Sequence, residues 1–175
     1  LNGFTVFDQQ NDTLMHANRI NLTVRKLNFS SNTVRFSDLE LDNANFHLRS
    51  REENGATNLD FITNYFATSD TLTADSVKHD ILLSANALLL NNCHFTYSNP
   101  YGEARGTGMD MNNISIGKIN GSITDFIFIN DSLNANIESF SFREKSGLVM
   151  SNLSGSLIIE PTGIETNSLK IATSN

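Results

Sequence analysis

Ser115 and Lys118 stand three apart in Ser115-Ile-Gly-Lys118. At this spacing the penicillin-interacting serine enzymes bring a lysine amine onto a serine hydroxyl across a helical turn. Here Ile114 and Ile116 alternate with polar neighbours at period two, so the segment reads as a strand and sends Ser115 and Lys118 to opposite faces. The Ser-Asp-Asn and Lys-Thr-Gly companions of that chemistry are missing. Glu52 and Glu53 are sequence neighbours in a charged stretch, Arg49 to Gly55, that reads as a solvated hairpin end; glycosidase carboxyls must face each other across a cleft. His16, His47, His79 and His94 show no metal-ligand spacing. Gly102, Gly106 and Gly108 precede no Gly-Lys-Ser/Thr, so they make a bend and not a phosphate loop. Cys93 is the only cysteine and reads as a small buried filler, with a reactive thiol as the alternative. The expectation is no catalytic residue, no metal and no cofactor.

Composition narrows the partners. The 175 residues carry a net charge of −7 and a pI near 4.9, against nucleic acid and anionic lipid surfaces. The chain opens on Leu1, with no signal peptide and no apolar run of 18 residues. The expectation is a single β-rich segment, residues 1–175, cut from a larger protein, with any membrane anchor outside it. Asparagine occurs 24 times and suits many turns.

The elements that would position any site are strands. One phrase occurs twice, 49 positions apart: Leu39-Glu-Leu41-Asp42-Asn43-Ala44-Asn-Phe46-His-Leu48 and Leu88-Leu-Leu90-Asn91-Asn92-Cys93-His-Phe95-Thr-Tyr97. In each, apolar alternation breaks at a two-residue polar pair and resumes on the opposite parity. A β-hairpin with a two-residue type I′ turn predicts that slip and puts the apolar residues on one face. Elsewhere short alternating runs recur about every 8 to 12 residues, predicting roughly a dozen short strands in an antiparallel meander. One short helix is predicted near residues 58–67, N-capped by Asn58, and residues 68 to 79 read as a loop. Phe126 and Phe128 fall on the parity opposite to Ile123 and Ile127, so the strand is expected to be covered on both faces there, the helix being the candidate cover.

Several phrases together resemble the AsmA/TamB-like envelope proteins of Gram-negative bacteria, most nearly the amino-terminal periplasmic part of TamB-type proteins. They are Leu1-Asn-Gly3-Phe-Thr-Val-Phe-Asp8 with Asp12-Thr-Leu14 and His16-Ala, the Leu39-Glu-Leu-Asp-Asn phrase, Asn58-Leu-Asp-Phe-Ile62, Leu90-Asn-Asn with Phe95-Thr-Tyr97, and Ser141-Phe-Arg-Glu-Lys-Ser-Gly147. They span nearly the whole chain in order. The resemblance implies a mainly β sheet curled into a half-pipe or taco, in the periplasm, within a protein anchored by an inner-membrane helix outside this segment. It also implies an outer-membrane barrel partner met through other regions, and a role in moving phospholipid or assembling outer-membrane proteins.

On this reading Leu39, Leu41, Phe46, Leu48, Leu88, Leu90, Phe95 and Tyr97 face a groove for phospholipid acyl chains. The alternative is a structural module that closes a dry core and pairs an open sheet edge with a partner strand.

Overall fold

The computed structural model describes residues 1–53, 55–61, 82–129 and 132–174. Their alternation is realised as eight strands: β1 (Asn2–Phe7), β2 (Thr13–Asn28), β3 (Thr33–Arg49), β4 (Leu82–Ser98), β5 (Asn113–Ile129), β6 (Ser132–Glu144), β7 (Val149–Glu160) and β8 (Gly163–Ser174). They form one sheet in sequence order, curled and not closed. The fold class is the half-pipe-like β sheet that the alternation and the resemblance imply. It is a meander with one exception, since β3 and β4 run parallel and every other neighbouring pair is antiparallel.

That exception corrects the reading of the repeat. The two phrases are not hairpins. Each is the middle of an unbroken 17-residue strand, and the strands pair at a constant offset of 49, so Leu39 meets Leu88, Leu41 meets Leu90, Phe46 meets Phe95 and Leu48 meets Tyr97. A parallel pair cannot be joined by a tight turn, and residues 50–81 separate the two strands in the chain.

The parity slip is real, but a left-handed residue inside a continuous strand causes it. Asn43 and Asn92 sit at φ 47° and 49° within continuous strands, and Lys118 repeats the conformation on β5 at 53°. One left-handed residue turns the side-chain parity over without reversing the strand, and β2, β3 and β4 keep their mutual register through it. The same three-residue step recurs at one level on four neighbouring strands, with a left-handed residue on β3, β4 and β5 and none on β2: Ala17 to Ile20 on β2, Leu41 to Ala44 on β3, Leu90 to Cys93 on β4 and Ile116 to Ile119 on β5 all bring both named residues to one apolar cluster. The shared step makes a seam across the sheet. Merging two expected short strands at each such step is also why eight long strands replace a dozen short ones.

Small residues fill the seam. Ala17, Ala44 and Cys93 are essentially fully buried, as side chains converging inside a bend require. Beside it Phe140 lies over Gly121, where an added Cβ would come within 2.7 Å of the ring, and Phe142 meets Phe140 edge-on at 6.0 Å. A second left-handed residue on β5, Asp125 at φ 51°, overturns the two-sided burial expected there. It resets the alternation, leaving Ile127 41% exposed while Phe126 and Phe128, opposite Ala85 and Leu83, are half-buried.

The end of the sheet beyond Arg49 is tied down by polar contacts. Asp8, buried in the β1–β2 turn, accepts from the backbone N–H of Gln10 and Asp12 and pairs with Arg51, which also reaches Asp12 at 3.0 Å. Ser50 bridges Thr57 in antiparallel fashion, the hairpin end that the sequence predicts, with Glu52 and Glu53 exposed and Arg51 drawn inward to Asp8. Tyr101 donates its hydroxyl to the Arg51 carbonyl at 2.7 Å. The expected helix begins at Asp60 and Phe61; its continuation, the loop at 68–79 and the turn at 130–131 lie outside the described residues. Its cap is Thr57 and not Asn58: Thr57 Oγ1 donates to Asp60 Oδ1 at 2.7 Å and accepts from Leu59 N–H, while Asp60 Oδ2 accepts from Thr57 N–H. Asn58 is buried and occupied elsewhere, its amide donating to the His47 carbonyl and its oxygen accepting from Arg49 N–H.

Candidate functional site

The groove candidates share one face. Leu41 is part of the buried cluster, and Leu39, Phe46, Leu90 and Phe95 pack against it. Leu48, Leu88 and Tyr97 follow by alternation from Phe46, Leu90 and Phe95. Pairing extends these positions into rows. Ile20, Leu41, Leu90, Gly121, Phe140, Leu153 and Ile171 are successive partners across seven strands. A second row runs Val6, Met15, Phe46, Phe95, Ile116, and a third Leu22, Leu39, Leu88, Ile123, Ile137. Only Gly121 interrupts the first row, and the Phe140 ring fills that gap.

The dimensions follow from sheet geometry. Six interstrand steps make the first row roughly 29 Å wide, and a 17-residue strand runs roughly 56 Å. The face is longer than the roughly 15 Å depth of one leaflet, half of a bilayer's hydrocarbon core.

This face is incompletely covered. The buried apolar side chains among the described residues are Leu14, Ala17, Ile20, Leu41, Ala44, Ala85, Cys93, Ile119 and Ala135, and four of these are alanines. Apart from the buried Ile20 and Leu41, the large side chains of the rows are half-buried, and toward the sheet's edges they open to solvent: Leu22 is 40% and Ile171 59% exposed. Every residue of β8 is exposed. Leaving a Leu or Phe in water forgoes about 1.5–3 kcal/mol relative to burying it.

The opposite face is polar and laddered. Asp42 accepts from Arg19 at 2.5 Å and from the Asn91 amide at 2.8 Å; Asn91 also reaches Glu40, which Asn21 meets from β2. Asn91 and then Arg19 hold the Asp42 carboxyl below the usual carboxylate range. Three histidines each share a hydrogen bond with a hydroxyl on a neighbouring strand: His16 with Thr5, His47 with Thr96, and His94 with Ser115 at 3.1 Å. His79 lies outside the described residues. Among those described no group of three His, Cys, Asp or Glu is placed to hold a metal.

Ser115 and Lys118 do not point apart as the alternation predicts. The left-handed backbone at Lys118 turns it to the side of Ser115, and both line one polar cavity of about 660 Å³ with His94, Asn45, Arg143 and Lys145. Ser115 shares its hydrogen bond with His94, and none joins it to Lys118. Glu144, at the cavity's end, is fully buried. Its parity matches that of Phe140 and Phe142, and it pairs with Ile116 across β5 and β6. Burial works to raise its pKa, but Ser146, whose N–H donates to it at 2.6 Å, the Ser115 backbone and Lys145 together hold it below the usual range.

Cys93 is a filler of the seam, 2% exposed opposite Ala44 in the parallel register, and burial pushes its thiol pKa up. No protein-family model matches the chain, and no curated protein matches it.

Proposed function

We propose that this chain is a non-enzymatic segment of a cell-envelope protein, offering the apolar face of its curled sheet to the acyl chains of phospholipids in transit between membranes. The carrying observation is the seven-strand apolar row through Leu41, Leu90 and Phe140 on a single curled layer whose edges stay open to solvent. Contacts between such a face and hydrocarbon are non-directional, so a bound chain slides along the strands without breaking hydrogen bonds. The resemblance to AsmA/TamB-like proteins supports the same reading. It adds a periplasmic location, an inner-membrane anchor and an outer-membrane barrel partner, both engaged through regions outside residues 1–175.

The test is photo-crosslinking in a Gram-negative envelope. A photoreactive residue at Leu41, Phe46 or Leu90 is expected to capture phospholipid, while one at Glu40 or Asn45 captures none. Capture from the polar positions alone rejects the reading.

A second reading has its own observation. Among the described residues β8 pairs with β7 only, and all twelve of its residues are exposed, so its outer edge offers backbone donors and acceptors to an incoming strand. As a structural module the chain would assist outer-membrane protein assembly by strand pairing. Photoreactive residues along β8 would then capture polypeptide, with no lipid at Leu41 or Leu90.

A further inference from the structure

The polar face carries a feature that the lipid-groove reading does not use. Lys118, Arg143 and Lys145 line the cavity of about 660 Å³ on the outer side of the seam. Three of the chain's twelve Lys and Arg thus converge at one place in a protein of net charge −7. The described ion pairs use Arg19, Arg49 and Arg51, and none of the three cavity cations joins an ion pair or a side-chain hydrogen bond among the described residues. Glu144 is the one acid lining the cavity, and its Oε2 is engaged by the Ser146 N–H. Three cations against one carboxylate leave the cavity net positive.

Lys118 supplies an independent observation. The equivalent left-handed positions on β3 and β4 are both asparagine, the non-glycine residue best suited to that backbone. Lysine has no such preference. Its presence on β5 breaks the local pattern and places an unpaired ammonium at the cavity.

We propose that this cavity binds a phosphate group, held by Lys118, Arg143 and Lys145 with the Asn45 amide as an added donor. Charge-assisted hydrogen bonds from Arg and Lys suit a compact multi-oxygen anion. The negative charge of the rest of the chain favours a single isolated phosphate over a polyanion. The phosphate belongs either to a lipid headgroup or to a small soluble ester; both present the same oxygens. The site lies on the face opposite the apolar rows and does not depend on lipid occupying them.

The experiment is a titration of the isotope-labelled chain with inorganic phosphate at constant ionic strength, followed by amide resonances, with chloride as the control. Saturable shifts are expected at Asn45, Gly117 and Gly147. Lys118→Asn and Arg143→Gln are each expected to weaken binding about three- to fivefold, as for one exposed charge contact. Asparagine suits the backbone at 118, so that variant keeps the fold and its remaining spectrum reports it. Shifts that fail to saturate, that chloride reproduces, or that both variants retain at full strength overturn the proposal. A second arm sediments the chain with phosphatidylglycerol vesicles or with phosphate-free diglycosyl diacylglycerol vesicles brought to the same surface charge with oleic acid. Binding to the first alone, lost in both variants, assigns the phosphate to a lipid headgroup; saturation by free phosphate without vesicle binding assigns it to a soluble ester.

Discussion

The side-chain amide of Asn92 donates to the side-chain oxygen of Asn43 at 2.7 Å, across the one parallel strand pair and between residues 49 apart in sequence. Both residues hold the left-handed backbone that turns the parity of their strands, so one hydrogen bond couples two left-handed steps of the seam. Asn92→Gly keeps the backbone freedom and loses the bond, and is expected to cost about 1 kcal/mol. Asn92→Val loses the bond and adds strain, and is expected to cost about 2–3 kcal/mol. Urea unfolding of the two variants checks the order. Equal costs would mean that the left-handed backbone is not what position 92 requires.

Gly121 and Phe140 are expected to be coupled in the same way. A methyl at 121 would press on the Phe140 ring at 2.7 Å, so Gly121→Ala should destabilise by about 1–3 kcal/mol. Adding Phe140→Leu should recover part of that loss, since the smaller side chain vacates the ring's place. A double-mutant cycle by urea unfolding measures the coupling; additive costs would place the ring elsewhere.

Acid should destabilise the fold through three carboxyls. Burial works to raise the pKa of Asp8, but the Asp12 N–H, Arg51 and the Gln10 N–H outweigh it; Asp42 and Glu144 are also held low. Their folded values lie below the ordinary 3.8 of Asp and 4.5 of Glu. Such groups contribute stability that is fully present above the unfolded values and lost as pH falls through the folded ones. Stability should therefore decline as pH drops below 4.5 and fall further beneath 3.8. Asp8→Asn should flatten the lower part of that decline, read as urea midpoints across pH. A wild-type curve flat to pH 3 would contradict the paired state of Asp8.

Cys93 should be inert in the native chain. Its thiol lies in the seam with its pKa pushed up by burial, so a thiol reagent is expected to label it only through unfolding. Labelling rates should rise with urea in step with the unfolded fraction, and Cys93→Ala should be mild because Ala44 fills the matching place on β3. Rapid labelling in native buffer would show the seam to be open.

Much of the apolar face was legible in the sequence, because parity depends only on where alternation slips. Leu39, Leu41, Phe46, Leu90 and Phe95 are on the predicted face although the predicted hairpins do not exist. A type I′ turn and a left-handed residue within a strand reset parity alike; they differ in whether the chain reverses, which alternation does not report. Two features favour the continuous strand: neither polar pair contains the glycine that such turns prefer, and one pattern repeated at constant offset suits strands lying in parallel register. Lys118 escaped because lysine carries no left-handed signal. Its trace is the three-residue step from Ile116 to Ile119, which also brings Ser115 and Lys118 to one side.

The central claim, that the apolar rows are made for hydrocarbon, is tested most directly with phospholipid carrying a nitroxide on its acyl chain. Relaxation enhancement is expected to broaden methyl and ring resonances of Leu41, Leu90, Phe95 and Leu153 and to spare Glu40, Asn45 and His47. Broadening confined to the polar face, or none at lipid concentrations that saturate a fluorescent acyl probe, would contradict it.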